Sequence, residues 1–408
     1  MTRYRRAWLV AAALLALLPL VPGLDSSFSR SLLTQMGIAA VFALSYNVLL
    51  GQTGLLSFGH AVYFGLGGYA SVHLMRAVNA GLPIPMPFIP LAGAIAGLFF
   101  GIIFGALTTR RAGTIFALIS LGLGEMVHSA SLMLPGFFGG EEGVTASRTK
   151  APPFLGLDFS SQLQVYYVVA FWLVVSAIAM HAFMRTPVGR MCNAVRDNPE
   201  RAEFVGYNPQ RVRFVVFSVS AMFAGLAGGL HAINYEIVAA EALSAGRSGA
   251  VLLMVYIGGV QHFAGAIVGA AAITWLQVSL SDYTSAWLLY LGLFFMALVL
   301  YAPGGLVGLA MMQLAAFRRV GAARLVRAYA LALVPVLAIF VGSVALIEMA
   351  YRRSTQPEAG PRMKLFWVAL DTSTPWPWIG ALALAIVGYL AWRWLAPRVA
   401  AAWEVARA

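Results

Sequence analysis

Cysteine and lysine are almost missing from this chain, and charge of either sign is scarce. The single cysteine, Cys192, excludes an intrachain disulfide and any cysteine-rich metal site. The only lysines are Lys150 and Lys364, and neither stands in the Gly-Lys-Ser/Thr ending of a phosphate loop, so a nucleotide site of that kind is not expected. No His-x-x-x-His spacing or carboxylate pair marks a metal centre, and no catalytic constellation is visible, so no catalytic residue, metal or cofactor is expected. Charged residues make up 10% of the 408 and hydrophobic ones 61%, with a mean hydropathy of +0.81. A soluble domain cannot hide that much apolar surface, which leaves an all-α polytopic membrane protein in the lipid bilayer.

What is present is a series of apolar segments long enough to cross a bilayer core about 30 Å thick. They run over 7–24, 31–50, 53–75, 86–108, 112–134, 163–184, 213–235, 249–281, 285–302, 327–350 and 377–395. The first resembles a signal peptide, but Val21-Pro-Gly-Leu-Asp-Ser-Ser27 is a poor cleavage sequence, so an uncleaved span is expected. Basic residues orient the spans: Arg3, Arg5 and Arg6, Arg110 and Arg111, the six arginines from Arg185 to Arg213, and Arg318, Arg319 and Arg324 belong on the cytoplasmic side. The N-terminus is then cytoplasmic, and the 135–162 segment with Glu141, Glu142 and Asp158 lies outside. Parity holds through residue 235; beyond it, 249–281 must hold two passes or a re-entrant piece broken near Gly258-Gly259. About ten crossings are expected. The net charge of +12 is thus carried by loop arginines that set membrane orientation, not by a nucleic-acid-binding face.

Gly93, Gly97, Gly101 and Gly105 recur every fourth residue, as do Ala221, Gly225 and Gly229, and Gly265 and Gly269. Such smooth ridges let helices approach closely and predict a tight bundle. Two segments read as interrupted: Gly51-Gln52-Thr-Gly-Leu-Leu-Ser57-Phe-Gly59-His60, and Ile257-Gly258-Gly259-Val-Gln261-His262. Unwound backbone at membrane depth is tolerated where protein or a water-filled cavity satisfies it, so paired interruptions point to a translocation path. The bland reading is a glycine-rich loop at the membrane surface. Glu125 lies inside an apolar span with His128 on the same helical face, and it lines the path, pairs with a partner subunit or braces the bundle. His60, His73, His231 and His262 lie near segment ends, where interfacial or hydrogen-bonded roles are expected.

The arginine-rich connector contains a punctuated short helix. Asp197 or Asn198 can cap it, Pro199 suits its first turn, Glu200 completes a D-x-x-E box with Asp197, and Gly206 suits a left-handed end. Two turns are too short to stand alone, so the helix must pack against something. The pattern Glu200-x-Ala202-x-x-x-Gly206 resembles the EAA loop of ABC importer permeases, the coupling helix that enters a groove of the ATPase; Arg201 departs from it, where alanine is usual. The stretch 30–312 as a whole resembles the branched-chain amino acid permease family, in its LivM-type subunit. The pieces are Ala43-Leu-Ser-Tyr-Asn-Val-Leu-Leu-Gly-Gln-Thr-Gly-Leu-Leu-Ser-Phe-Gly-His-Ala61, Ile119-Ser-Leu-Gly-Leu-Gly-Glu-Met-Val127, the connector, Ala224-Gly-Leu-Ala-Gly-Gly229, Gly258-Gly259 and Ala302-Pro-Gly-Gly-Leu306.

The resemblance implies a bacterial inner-membrane importer of branched-chain or related amino acids, with urea, amides or small organic acids as alternative cargo. It also implies a second, LivH-type permease, two ATPase subunits and a periplasmic or extracellular substrate-binding protein. The expected division is an N-terminal span and connector over 1–30, a permease core over 31–312, and an appended two-helix hairpin over 313–408. A secondary transporter would need no coupling loop, and a channel would need a repeated pore signature or a charged ring.

Overall fold

Several helices begin or end where the sequence supplies a partner for their free backbone groups. Ser26 accepts from the N–H of Ser29 at 3.1 Å and opens α2, Ser27–Thr53, which Gly54 closes at φ +69°. Ser161 caps α7, Gln162–Met184; Thr186 caps α8, Pro187–Asp197; Asn198 caps α9, Pro199–Phe204; and Asn208 caps α10, Pro209–Tyr235. The other helices are α1, Thr2–Leu17; α3, Ala61–Asn79; α4, Ile89–Thr108; α5, Gly113–Met133; α6, Pro135–Phe138; α11, Ala245–Gly258; α12, Phe263–Tyr283; α13, Trp287–Tyr301; α14, Gly305–Val320; α15, Ala322–Thr355; and α16, Pro375–Arg407. The computed structural model describes residues 2–21, 26–154, 156–320, 322–355, 360–365 and 368–407. The cleavage sequence at 22–25, Glu358 of the C-terminal loop, and the side chains of Arg3, Arg5, Arg6, Arg319 and Arg324 lie outside what is described.

Among the described residues, eight helices are long and apolar enough to cross a membrane, and nine if α13 and α14, bent by 49°, form one span. Nine is within one of the ten expected. Hydropathy counted too generously where α1 has 16 residues, α11 has 14, and α3 carries Ser71, His73 and Arg76. The protein is an all-α, multi-pass membrane protein.

The chain divides into two compact units, one of residues 1–282 and 291–308, the other of 283–290 and 309–408. In the first, α10 is the central helix, packed between α3 and α4. The glycine ridges make this possible. A Cβ on Gly97 would lie 2.9 Å from the Cα of Gly225, one on Gly101 2.6 Å from the Cβ of Ala221, and one on Gly67 of α3 2.7 Å from the carbonyl carbon of Gly225. Backbones this close gain dispersion contacts that lipid tails would not supply. The two ends of α10 fix the two ends of the bundle. At its start lies the arginine-rich connector. At its finish, β2, Ile237–Val238, pairs antiparallel with β1, Val144–Thr145, and Arg148 donates to the Asn234 carbonyl at 3.1 Å. The acidic 135–162 segment is therefore tied to the end opposite the connector.

The second unit is a helix pair, α15 and α16, drawn together where a Cβ on Gly342 would lie 2.7 Å from the Ala381 carbonyl oxygen. The loop between them forms a β-hairpin, β3, Arg362–Leu365, against β4, Val368–Asp371, which hydropathy alone did not distinguish from irregular loop. Inside this unit Glu348 accepts from Thr284 at 2.7 Å and from Tyr290 at 2.9 Å.

Candidate functional site

The first interruption is a re-entrant strip of non-helical backbone ending in a turn at 58–60. Along α2, Ser45 is fixed level with the middle of α10, because Ser220 donates to its carbonyl at 2.6 Å. The helix then continues eight residues to Thr53, about 12 Å further toward the connector. The chain returns over Gly54–Gly59, and His60 reaches Ser45 again, with Nε2 3.0 Å from Oγ. Helix α3 therefore starts at mid-bundle. Protein groups satisfy the unwound backbone: Tyr46 donates to the Ser57 carbonyl at 3.0 Å, Phe58 N–H to Ser120 Oγ at 3.0 Å, and Ala61 N–H to Ser248 Oγ at 3.0 Å. Gly59 lies against α5, where a Cβ would meet the Ser120 carbonyl.

The second interruption lies at the connector end of the bundle, between α11 and α12. Gly259 turns there at φ +114°, a region hostile to residues with a Cβ. Its neighbours are the Gly304 and Gly305 backbones, so two separate pieces of the sequence resemblance meet. The two interruptions also touch. Asn47 of α2 donates to the Val260 carbonyl at 2.8 Å, and a Cβ on Gly51 would lie 2.6 Å from that oxygen.

Of the expected path residues, Gly51, Ser57, Gly59, His60, Gly258 and Gly259 are buried, Gln52 is half-buried, and Gln261 and Glu125 are exposed. His60 is fully enclosed, its ring beside those of Phe42 and Tyr46 at 5.6 and 5.1 Å, and His231 is half-buried. Both have the hydrogen-bonded kind of role expected near segment ends, His60 with Ser45 and His231 with Arg247. Glu125 and His128 do not pair: the imidazole turns to the Ala240 carbonyl at 3.1 Å, leaving Glu125 on an exposed stripe of α5 with Ile115, Leu118, Gly122 and Ser129.

The connector folds as two helices rather than one. Helix α8 is anchored by its buried face of Cys192 and Val195; burial pushes the Cys192 thiol up to about 12, consistent with an unreactive spare thiol. The cap of α9 is Asn198, whose Oδ1 accepts from Arg201 N–H at 2.9 Å. Asp197 ends α8 instead and pairs with Arg196 at 2.9 Å, so the D-x-x-E box with Glu200 does not form. Ala202 packs inward, while Glu200 and Arg201 are exposed and Gly206 closes the turn at φ +89°. Two features escaped sequence reasoning. Phe204 and Val205 are 91% and 68% exposed, an apolar tip on a charged connector. Arg196 reaches out of the connector to the Gly51 carbonyl at 2.6 Å, capping the end of α2 beside both interruptions. An arginine in a basic loop carries no local signal of so distant a partner.

A many-helix membrane bundle with re-entrant backbone and a helical connector is the frame of a transport permease. The family model described as "Branched-chain amino acid transport system / permease component" matches residues 29–303, and the chain belongs to that family. It is 28% identical over 329 residues to the high-affinity branched-chain amino acid transport system permease protein LivM of Escherichia coli, covering 75% of this chain and 76% of that one. It is 24% identical over 267 residues to the LivH permease of the same organism, covering 60% and 82%. The guanosine ABC transporter permease protein NupQ of Bacillus subtilis is 26% identical over 240 residues, covering 56% and 74%. No solved structure matches the chain.

Proposed function

We propose that the chain is one permease subunit of an ATP-driven importer of branched-chain amino acids. It pairs with a second, LivH-like permease, docks two ATPases, and receives cargo from an external binding protein. The observation that carries this reading is the connector: a capped two-turn helix with Phe204 and Val205 exposed, joined through Arg196 to the backbone of both interruptions. An apolar tip that the chain does not cover suits the groove of a soluble partner. Motion imposed on α9 passes to α8, which packs against it. From there Arg196 carries it to the end of α2, and Asn47 to Val260. Buried glycines set that backbone, and Gln52, Gln261 and Glu125 are the path residues left open to cargo or to the second permease.

With the connector in the cytoplasm, the Trp8 ring of α1, 5.6 Å from that of His181 near the connector end of α7, supports a cytoplasmic N-terminus. The chain itself neither binds nor hydrolyses ATP, having no phosphate loop. Branched-chain amino acids are preferred to guanosine, urea or acids because the LivM relative is matched over 75% of the chain and the guanosine permease over 56%. The test is the assembled complex in proteoliposomes, with hydrolysis and uptake followed for leucine, isoleucine, valine, guanosine and urea. Stimulation by the three aliphatic amino acids is expected; stimulation by guanosine or urea alone would overturn the cargo.

A further inference from the structure

A cavity of about 110 Å³ opens among α2, α3, α10, α11 and α12. It lies toward the end opposite the connector, since Tyr235, the last residue of α10, borders it. Its lining is mixed, with Ile38, Phe42 and Met254 apolar and Gln35, Gln277 and Arg247 polar. Arg247 is in the first turn of α11, whose start is fixed by Ser244 Oγ accepting its N–H at 3.2 Å. Its guanidinium lies over the Phe64 ring, 4.8 Å from the centroid, with one nitrogen 3.4 Å from Nδ1 of His231. Glu241 and Tyr235 act on it electrostatically, yet among the described residues no carboxylate forms an ion pair with it.

A guanidinium offers five donors in a planar fork. Half-buried in a helix bundle, with an aromatic face and one imidazole as its side-chain neighbours among the described residues, the cation is costly without an anion. The group that completes the fork is a planar carboxylate, bound by two parallel hydrogen bonds. The space beside it is small against the roughly 300–1,000 Å³ of sites for drug-sized ligands. It excludes a nucleoside and suits a compact aliphatic amino acid. We infer that this cavity is a cargo-binding site that reads the α-carboxylate through Arg247. The aliphatic side chain lies against Ile38, Phe42 and Met254, and the amide oxygens of Gln35 and Gln277 accept from the ammonium. The inference rests on the proposed amino-acid cargo and gives that cargo a recognising group within this subunit.

The experiment measures radiolabelled leucine binding to the purified permease–ATPase complex in nanodiscs, with L-leucine and L-leucinamide as competitors. The parent should prefer leucine to the amide at least tenfold. Arg247→Gln should lose at least tenfold in leucine affinity and lose that preference, while Arg247→Lys keeps part of both. Should Arg247→Gln fail to assemble, Ile38→Trp, which fills the space beside Ile38 in the cavity, should lower leucine affinity at least tenfold. Unchanged affinity and unchanged preference in an assembled Arg247→Gln complex, or unchanged affinity in Ile38→Trp, would overturn the site. A parent complex that imports some other carboxylate solute instead, with uptake still lost in Arg247→Gln, would overturn the amino-acid reading and keep the carboxylate site.

Discussion

Arg196 is held at both ends of its reach, by Asp197 in its own helix and by the Gly51 carbonyl at the end of α2. A hydrogen bond with a charged donor contributes about 1.5–3 kcal/mol. It also meets the negative end of a helix dipole, whose favourable effect on a cation extends only through the last turn. Arg196→Ala should leave insertion and ATPase binding intact, because neither the spans nor the exposed tip of α9 is touched. It should cut the stimulation of hydrolysis by loaded binding protein several-fold, with Arg196→Lys intermediate. Full stimulation in the alanine variant would remove Arg196 from the coupling route. Gly59 and Gly258 are residues of another kind, fixed by space. A Cβ on Gly258 would lie 2.5 Å from the Gly265 carbonyl carbon and 3.0 Å from the Gly269 nitrogen, and backbone cannot move aside as a side chain can. Overpacking of this sort costs about 1–3 kcal/mol or more. Gly59→Val and Gly258→Val should each abolish uptake, whereas Gly136→Ala, with nothing within 4 Å, should be silent. Uptake by both valine variants at the parent rate would show that the interruptions tolerate displacement.

At the scale of elements, the coupling helix carries the sharpest expectation. Gly206→Val forces a β-branched residue into φ +89° and should misdirect the tip that follows α9. Glu200→Arg places a cation at the positive end of the helix, an effect of roughly 0.3–1 kcal/mol. Phe204→Asp leaves the fold alone and changes only what the partner meets, since Phe204 is 91% exposed. All three should lower co-purification of the ATPase or its response to loaded binding protein, with Phe204→Asp the strongest at normal membrane levels. A normal response from every one of them would make the connector a passive link. Helix identity, the glycine ridges and the break at Gly258-Gly259 were legible in the sequence because they are written in local spacing. The cap stayed open between Asp197 and Asn198 because both are good cap residues; Asn198 takes it, while Asp197 ends α8 and pairs with Arg196, so only the box with Glu200 fails. The level at which α3 begins could not be read either. It depends on Ser45, His60 and Ser220, which are spread over 175 residues of sequence.

For the whole molecule, the second compact unit takes in residues 283–290, inside the family match, together with 309–408, beyond it. The match ends at residue 303, and the first unit holds its own buried core around α10. Within the second unit the polar centre is Glu348, serving the hydroxyls of Thr284 and Tyr290. Deleting everything after about residue 322 removes the carboxylate together with the helix that carries it. Two hydroxyls then lose an acceptor, at about 1–3 kcal/mol each if they stay buried and less if lipid headgroups or water reach them. Glu348→Leu in the full chain leaves the same hydroxyls facing an apolar side chain that stays packed over them. The truncated permease should therefore insert, pair with its partner subunits and retain most of the parent's leucine uptake. The point variant should disturb the hairpin at least as much as deletion disturbs the core. Uptake per assembled complex, measured in the same proteoliposomes for parent, truncation and Glu348→Leu, decides the matter. Loss of uptake by a truncated chain that still assembles normally would mean that the hairpin takes part in transport itself.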